Sequence, residues 1–124
     1  FRTMLHKIHA GKVLDAGEEY KIVGFGGRSH SYENVGFPFM PGGISNCTSC
    51  HGENSTSWIE PAERVHTAAL LPTRSWRSAC ASCHDSTAQQ AHIDANTSPS
   101  GAESCTICHG VGESEDVRTV HTVK

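Results

Sequence analysis

Apolar residues fall in short clusters along the chain, with none of the long periodic runs that build a layered core. Residues 2–10, Arg-Thr-Met-Leu-His-Lys-Ile-His-Ala, predict a short helix stopped by Gly11, with Met4 as a packing residue. In residues 12–46, rich in glycine, Tyr20-Lys21-Ile22-Val23 is the only strand-like run, and Phe37-Pro38-Phe39-Met40-Pro41-Gly42-Gly43 reads as loop. Residues 61–71 predict a second helix, with Pro61 suited to its first turn and Pro72 just past its end. Further on, Asp85 and Ser86 can cap a helix running toward His92, and residues 96–101 form a turn-rich loop. Near the end, Val117, Val120 and His121 recur at helical spacing, so that His121 would face inward with the two valines.

Composition sharpens this picture. With 124 residues, 36% hydrophobic and 6% aromatic, the chain is one domain, residues 1–124, with little material for an ordinary core. Something other than side chains must fill its interior. Ten Lys+Arg against 13 Asp+Glu give a formal charge of -3, and no long basic tract is present, which argues against a nucleic-acid partner. The longest apolar stretch, Ala68-Ala69-Leu70-Leu71, is far too short to span a bilayer, and no segment reads as a secretion signal. The expectation is a soluble chain, already processed or cut from something larger.

The decisive pattern is in the cysteines. All six fall in three Cys-x-x-Cys-His units: Cys47-Thr48-Ser49-Cys50-His51, Cys80-Ala81-Ser82-Cys83-His84 and Cys105-Thr106-Ile107-Cys108-His109. Two thiols three positions apart on a helical turn can form thioethers with the two vinyl groups of a haem, while the next residue aims an imidazole at the iron. A disulfide framework gives no reason for a histidine after every second cysteine. Three pairs, each with its own histidine, do not divide into tetrahedral zinc sites without remainder. A thioredoxin-like motif would occur once, beside a βαβ pattern that is not visible. The reading is three covalently bound haem c groups, with Cys47, Cys50, Cys80, Cys83, Cys105 and Cys108 as thioethers and His51, His84 and His109 as proximal ligands.

Three porphyrins also answer the missing-core problem, because each is a large flat apolar body. The fold class expected is a multihaem cytochrome c: short α-helices and long irregular loops wrapped around haems, with little β-structure. It should not fold without them. First cysteines of successive motifs lie 33 and 25 residues apart, which forces neighbouring haems close together.

Six histidines remain for the other side of each iron: His6, His9, His30, His66, His92 and His121. His6 and His9 lie near one helix face and could serve two different haems, whereas His66 is as readily a surface residue as a ligand. The thioether alternatives are Met4 and Met40. Bis-histidine ligation is favoured throughout, and it lowers the reduction potential relative to a His/Met site.

Beyond the haem motifs, the chain resembles a family. Residues 1–11, Phe-Arg-Thr-Met-Leu-His-Lys-Ile-His-Ala-Gly, then Val35-Gly36-Phe37-Pro38 ahead of Asn46-Cys47, resemble the outer-membrane decahaem cytochromes c of the OmcA/MtrC family. Ala79 to Asp85, His92, the segment from Cys105 to Gly110, and Val120-His121 fit as well. The likeness covers almost the whole chain and matches the C-terminal three-haem part of a domain that normally holds five. The two upstream motifs are absent. The resemblance implies that His6, His9, His92 and His121 fall at distal-ligand positions, one more than three haems need. One of them would have lost its partner or would reach a haem in another subunit, as in protomers stacked end to end with His6 or His9 completing a neighbour's haem.

An iron with two protein ligands has no open position for substrate, so the chain reads as an electron carrier rather than an enzyme. The function expected is electron transfer at the outer-membrane surface or beyond it, the periplasm being disfavoured. Partners would be other multihaem cytochromes, extracellular acceptors such as metal oxides, or copies of the chain itself in a haem filament. The alternative is a terminal reductase of metal ions or small oxidised compounds at an exposed haem edge.

Overall fold

Helix α1 forms where the sequence places it, over Arg2–Ala10, but Gly11 does not end it by turning left-handed. Gly11 keeps helical angles and opens a 3-10 turn, Gly11–Val13. Its lack of a side chain is required for another reason: a Cβ there would lie 2.0 Å from the carbonyl oxygen of Tyr32. That close approach lets Lys12 N–H donate to Val35 (2.9 Å) and Phe37 N–H donate to His9 (3.0 Å), seating residues 32–37 against the end of α1.

The computed structural model describes residues 1–16, 18–37, 39, 43–53 and 75–121. The helix expected over residues 61–71, together with His66 and Met40, lies outside the described residues.

Strand β1, Lys21–Val23, is the expected run, and it pairs antiparallel with β2, Ser29–Ser31. Strand β2 carries no sequence signal, because Ser-His-Ser has no apolar alternation to read. Its register comes from the connection, where Gly26 and Gly27 both adopt positive φ, 73° and 77°. Two strands of three residues are all the sheet there is among the described residues.

The remainder is short helix and loop. Helix α2 is Thr48–His51, α3 is Ser75–Cys80, α4 is Thr87–Ala95, α5 is Thr106–His109 and α6 is Val117–Val120. Ser86 caps α4 through a full capping box: its hydroxyl accepts from Gln89 N–H while the Gln89 side chain accepts from Ser86 N–H. Asp85, the other expected cap, is used differently. It pairs with Lys7 (2.5 Å) and accepts from Ala16 N–H (2.7 Å), tying the N-terminal segment to the second motif. Helix α1 packs on α3, where the Thr3 hydroxyl donates to the Ser78 carbonyl (3.0 Å).

Among the described residues the only buried hydrophobic side chains are Ala10, Trp76 and Ile93. Phe1, Phe25 and Phe39 stand more than four-fifths exposed, and Val120, expected to face inward, is 58% exposed. Among the described residues, much of the apolar surface is left uncovered by the polypeptide.

Candidate haem-binding site

The three motifs fold into the same single turn. In each, the histidine N–H donates to the carbonyl of the first cysteine: His51 to Cys47 (3.0 Å), His84 to Cys80 (2.9 Å) and His109 to Cys105 (2.9 Å). The second cysteine's N–H reaches the same carbonyl, at 3.3, 3.1 and 3.3 Å. Identical pentapeptide spacing thus gives identical local backbone, with two thiols and one imidazole presented from one turn.

Each motif histidine then meets one other histidine. The rings of His51 and His6 lie 6.2 Å apart between centroids, those of His84 and His121 6.0 Å, and those of His109 and His92 6.1 Å. A metal–imidazole bond is about 2.0 Å and the ring nitrogen sits roughly 1.1 Å from its centroid, so two imidazoles trans on one metal place their centroids about 6 Å apart. All three pairs have the separation that an iron between them requires. His9 is in none of these pairs; its ring lies against Phe37, 5.7 Å away. His30 lies exposed on β2.

Hydrogen bonds orient the rings. Nδ1 of His6 donates to the carbonyl of Arg2 (3.0 Å), that of His121 to Val117 (3.1 Å) and that of His109 to Glu115 (3.2 Å). A carbonyl only accepts, so Nδ1 carries the proton and Nε2 keeps the lone pair a metal needs. His9 is set the same way, its Nδ1 donating to Leu5 (2.8 Å). Burial lowers the pKa of His6 and His121, partly opposed by those carbonyl bonds, which favours the neutral form that binds metal.

The thiols give the competing readings no support. All six cysteines are free, with no disulfide. Burial pushes Cys80 and Cys83 up to about 11 and raises Cys47 and Cys105, so no thiolate is favoured at these four. A nucleophilic cysteine needs the opposite shift. Among the described residues no group of three or more His, Cys, Asp or Glu converges as a metal cage. A cavity of about 1080 Å³ opens between Thr3, Lys7, Tyr20, Arg77 and Asp85, but none of the paired histidines lines it. Covalent attachment makes a deep pocket unnecessary.

The residues present therefore fit haem c. Comparison with known proteins gives a matching class: the family model for outer membrane cytochrome MtrC/MtrF-like proteins, domains II/IV, matches residues 1–122. The chain belongs to this family. Its class is thus that of the outer-membrane, c-type multihaem cytochromes of the outer-membrane surface. The crystal structure of the outer membrane decaheme cytochrome OmcA is similar over 91% of this chain, at 25% identity and a TM-score of 0.43. The chain spans 15% of that protein's length. No curated protein sequence matches it. No helix among the described residues is long and apolar enough to cross a membrane.

Sequence reasoning left the pairing of distal to proximal histidines open, and the ring distances now give one partner to each motif. Two features were missed altogether. Asp116, 5% exposed, accepts from Gly112 N–H (2.7 Å) and from the Arg118 backbone and guanidinium, closing the loop after the third motif. Glu103 accepts from the N–H groups of Trp76 (3.0 Å) and Arg77 (2.7 Å) at the start of α3. Both are acids in loops, with no spacing signal to single them out.

Proposed function

We propose that residues 1–124 form a single electron-transfer domain carrying three covalent haems, each with two histidine ligands: His51 with His6, His84 with His121, and His109 with His92. The observation that carries this reading is the recurrence of one ring separation, 6.0 to 6.2 Å, at all three motifs. When bound, each haem supplies an iron that cycles between ferric and ferrous forms and so holds one electron. The protein's share is to fix the iron from both sides. Cys47 and Cys50, Cys80 and Cys83, and Cys105 and Cys108 would anchor the three porphyrins, and the paired imidazoles would hold each iron from two sides and leave no place on it for substrate. Such a site moves electrons and does no bond chemistry, which favours a carrier over the terminal reductase.

The wrapping of haems by short helices and loops accounts for the exposed apolar side chains and the scant core. Electrons would pass between partner cytochromes and extracellular acceptors such as metal oxides. With His6 committed to His51, His9 is the one family ligand position left, oriented like the others, and it would serve an iron carried outside these residues. A filament of identical chains would then need contacts other than ligation by His6 or His9, because all three irons of each copy would already have two histidines.

Low-temperature electron paramagnetic resonance with a haem count on the intact protein tests the reading. Three low-spin ferric haems are expected, and His6→Ala, His92→Ala and His121→Ala should each convert one of them to high spin. His9→Ala should leave all three low-spin. A high-spin haem in the unaltered protein would favour the reductase and sink the carrier.

A further inference from the structure

We propose that Asp15, acting through His84, sets the reduction potential of the second motif's haem below the value its ligands alone would give; this rests on the ligand reading above. Four histidine rings, those of His6, His9, His109 and His121, hand their Nδ1 proton to a neutral carbonyl. His84 is built differently. With Nε2 directed to iron, its Nδ1 carries the proton, and the polar atoms beside it are Gln89 Nε2 at 3.2 Å and Asp15 Oδ2 at 3.8 Å.

The Gln89 amide cannot turn over to accept that proton. Its Oε1 already accepts from Ser86 N–H (3.0 Å) and the Ser86 hydroxyl (2.8 Å), as part of the capping box of α4. Its NH₂ group therefore faces Asp15 and donates to Oδ2 (2.7 Å). An amide NH₂ donates and does not accept, so the Asp15 carboxylate, held by Gln89, is the negative charge facing the Nδ1 proton, at 3.8 Å and beyond hydrogen-bond length.

The consequence is electrostatic. A carboxylate charge facing the Nδ1 proton polarises the imidazole and makes it a stronger donor to its metal. Its negative charge also favours ferric iron, which carries one more positive charge than ferrous. Both effects lower the potential. The two side chains are each 46% exposed, so solvent screens the charge with distance and the influence falls mainly on this one haem.

The test uses the intact holoprotein in a redox titration followed by paramagnetic resonance, with the second haem identified as the one that turns high-spin in His121→Ala. Asp15→Asn should raise the midpoint potential of that haem more than those of the other two, and Asp15→Glu should restore most of the shift. No shift, or an equal shift at all three haems, overturns the proposal. Should Asp15→Asn fail to incorporate haem, Gln89→Leu carries the test: loss of the tether should give a smaller upward shift confined to the same haem, and its absence overturns the idea. Failure of the ligand reading would show separately, as fewer than three low-spin haems before any substitution at Asp15.

Discussion

The second and third motifs share one backbone turn and differ in what holds it. Around the second, the supports come from far along the chain: Glu103 at the start of α3, Thr3 on Ser78, and Lys7 with Ala16 on Asp85. Around the third they are local. Glu115 N–H donates to Cys108 (2.9 Å), its carbonyl accepts from His109, and Asp116 with Arg118 closes the loop a few residues on. Burial follows the same division. Cys80 and Cys83 are desolvated enough to reach about 11, while Cys108 is exposed and Ile107 is 70% exposed. One pentapeptide encodes the turn, and the rest of the chain decides whether that turn is a hub or a periphery.

The largest expected effect comes from deleting attachment at each motif in turn. Cys80→Ala with Cys83→Ala removes the haem around which three distant segments gather, and should abolish cooperative unfolding of the whole domain. Cys105→Ala with Cys108→Ala should cost one haem and leave a folded remainder with the other two. Haem counting by intact-mass spectrometry and thermal unfolding by circular dichroism separate the cases. Equal damage from both pairs would show that the second motif has no central role.

How much of this was legible beforehand follows the range of the interactions. The haem motifs, α1 and the cap at Ser86 are encoded within a few residues, and the sequence alone placed them. The distal candidates His6, His92 and His121 were visible by resemblance, but the motif histidines they meet were not, because those pairs join residues 17 to 45 positions apart. Strand β2 was missed because polar Ser29-His30-Ser31 shows no period. The inward orientation expected of Val120 failed because helical spacing names a face without saying what covers it. Asp15, Glu103 and Asp116 were silent for a related reason: an acid in a loop looks solvated until the donors that converge on it are known.

An intermediate effect should come from the long-range ion pair. Lys7 and Asp85 keep 19% and 10% side-chain exposure, so Lys7→Met strands a mostly desolvated carboxylate and should cost about 1–3 kcal/mol. Arg118→Met, at a pair whose arginine is 46% exposed, should cost less. The pH dependence has a definite sign. Burial alone would push the Asp85 carboxyl up, but the bonds from Lys7 and Ala16 outweigh it and hold the pKa below the ordinary value. Its contribution is therefore present above the unfolded pKa of about 4 and is lost as pH falls through the lower folded value. Urea unfolding between neutral and acid pH should show this loss in the unaltered protein and a flatter profile in Lys7→Met. Identical profiles would mean that the pair is not coupled to folding.

The smallest effect tests whether the two motifs are coupled through α4, which begins beside His84 and carries His92, the partner of His109. Ser86→Ala removes the hydroxyl that accepts from Gln89 N–H, and loss of such a cap costs about 1 kcal/mol. Gln89 keeps one bond, to Ser86 N–H, so its amide still holds Asp15 near His84. The thermal midpoint should therefore drop by a few degrees with all three haems still low-spin. Appearance of a high-spin signal assigned to the third motif would show that the cap positions His92, making α4 a mechanical link between the two sites rather than a rigid strut that happens to touch both.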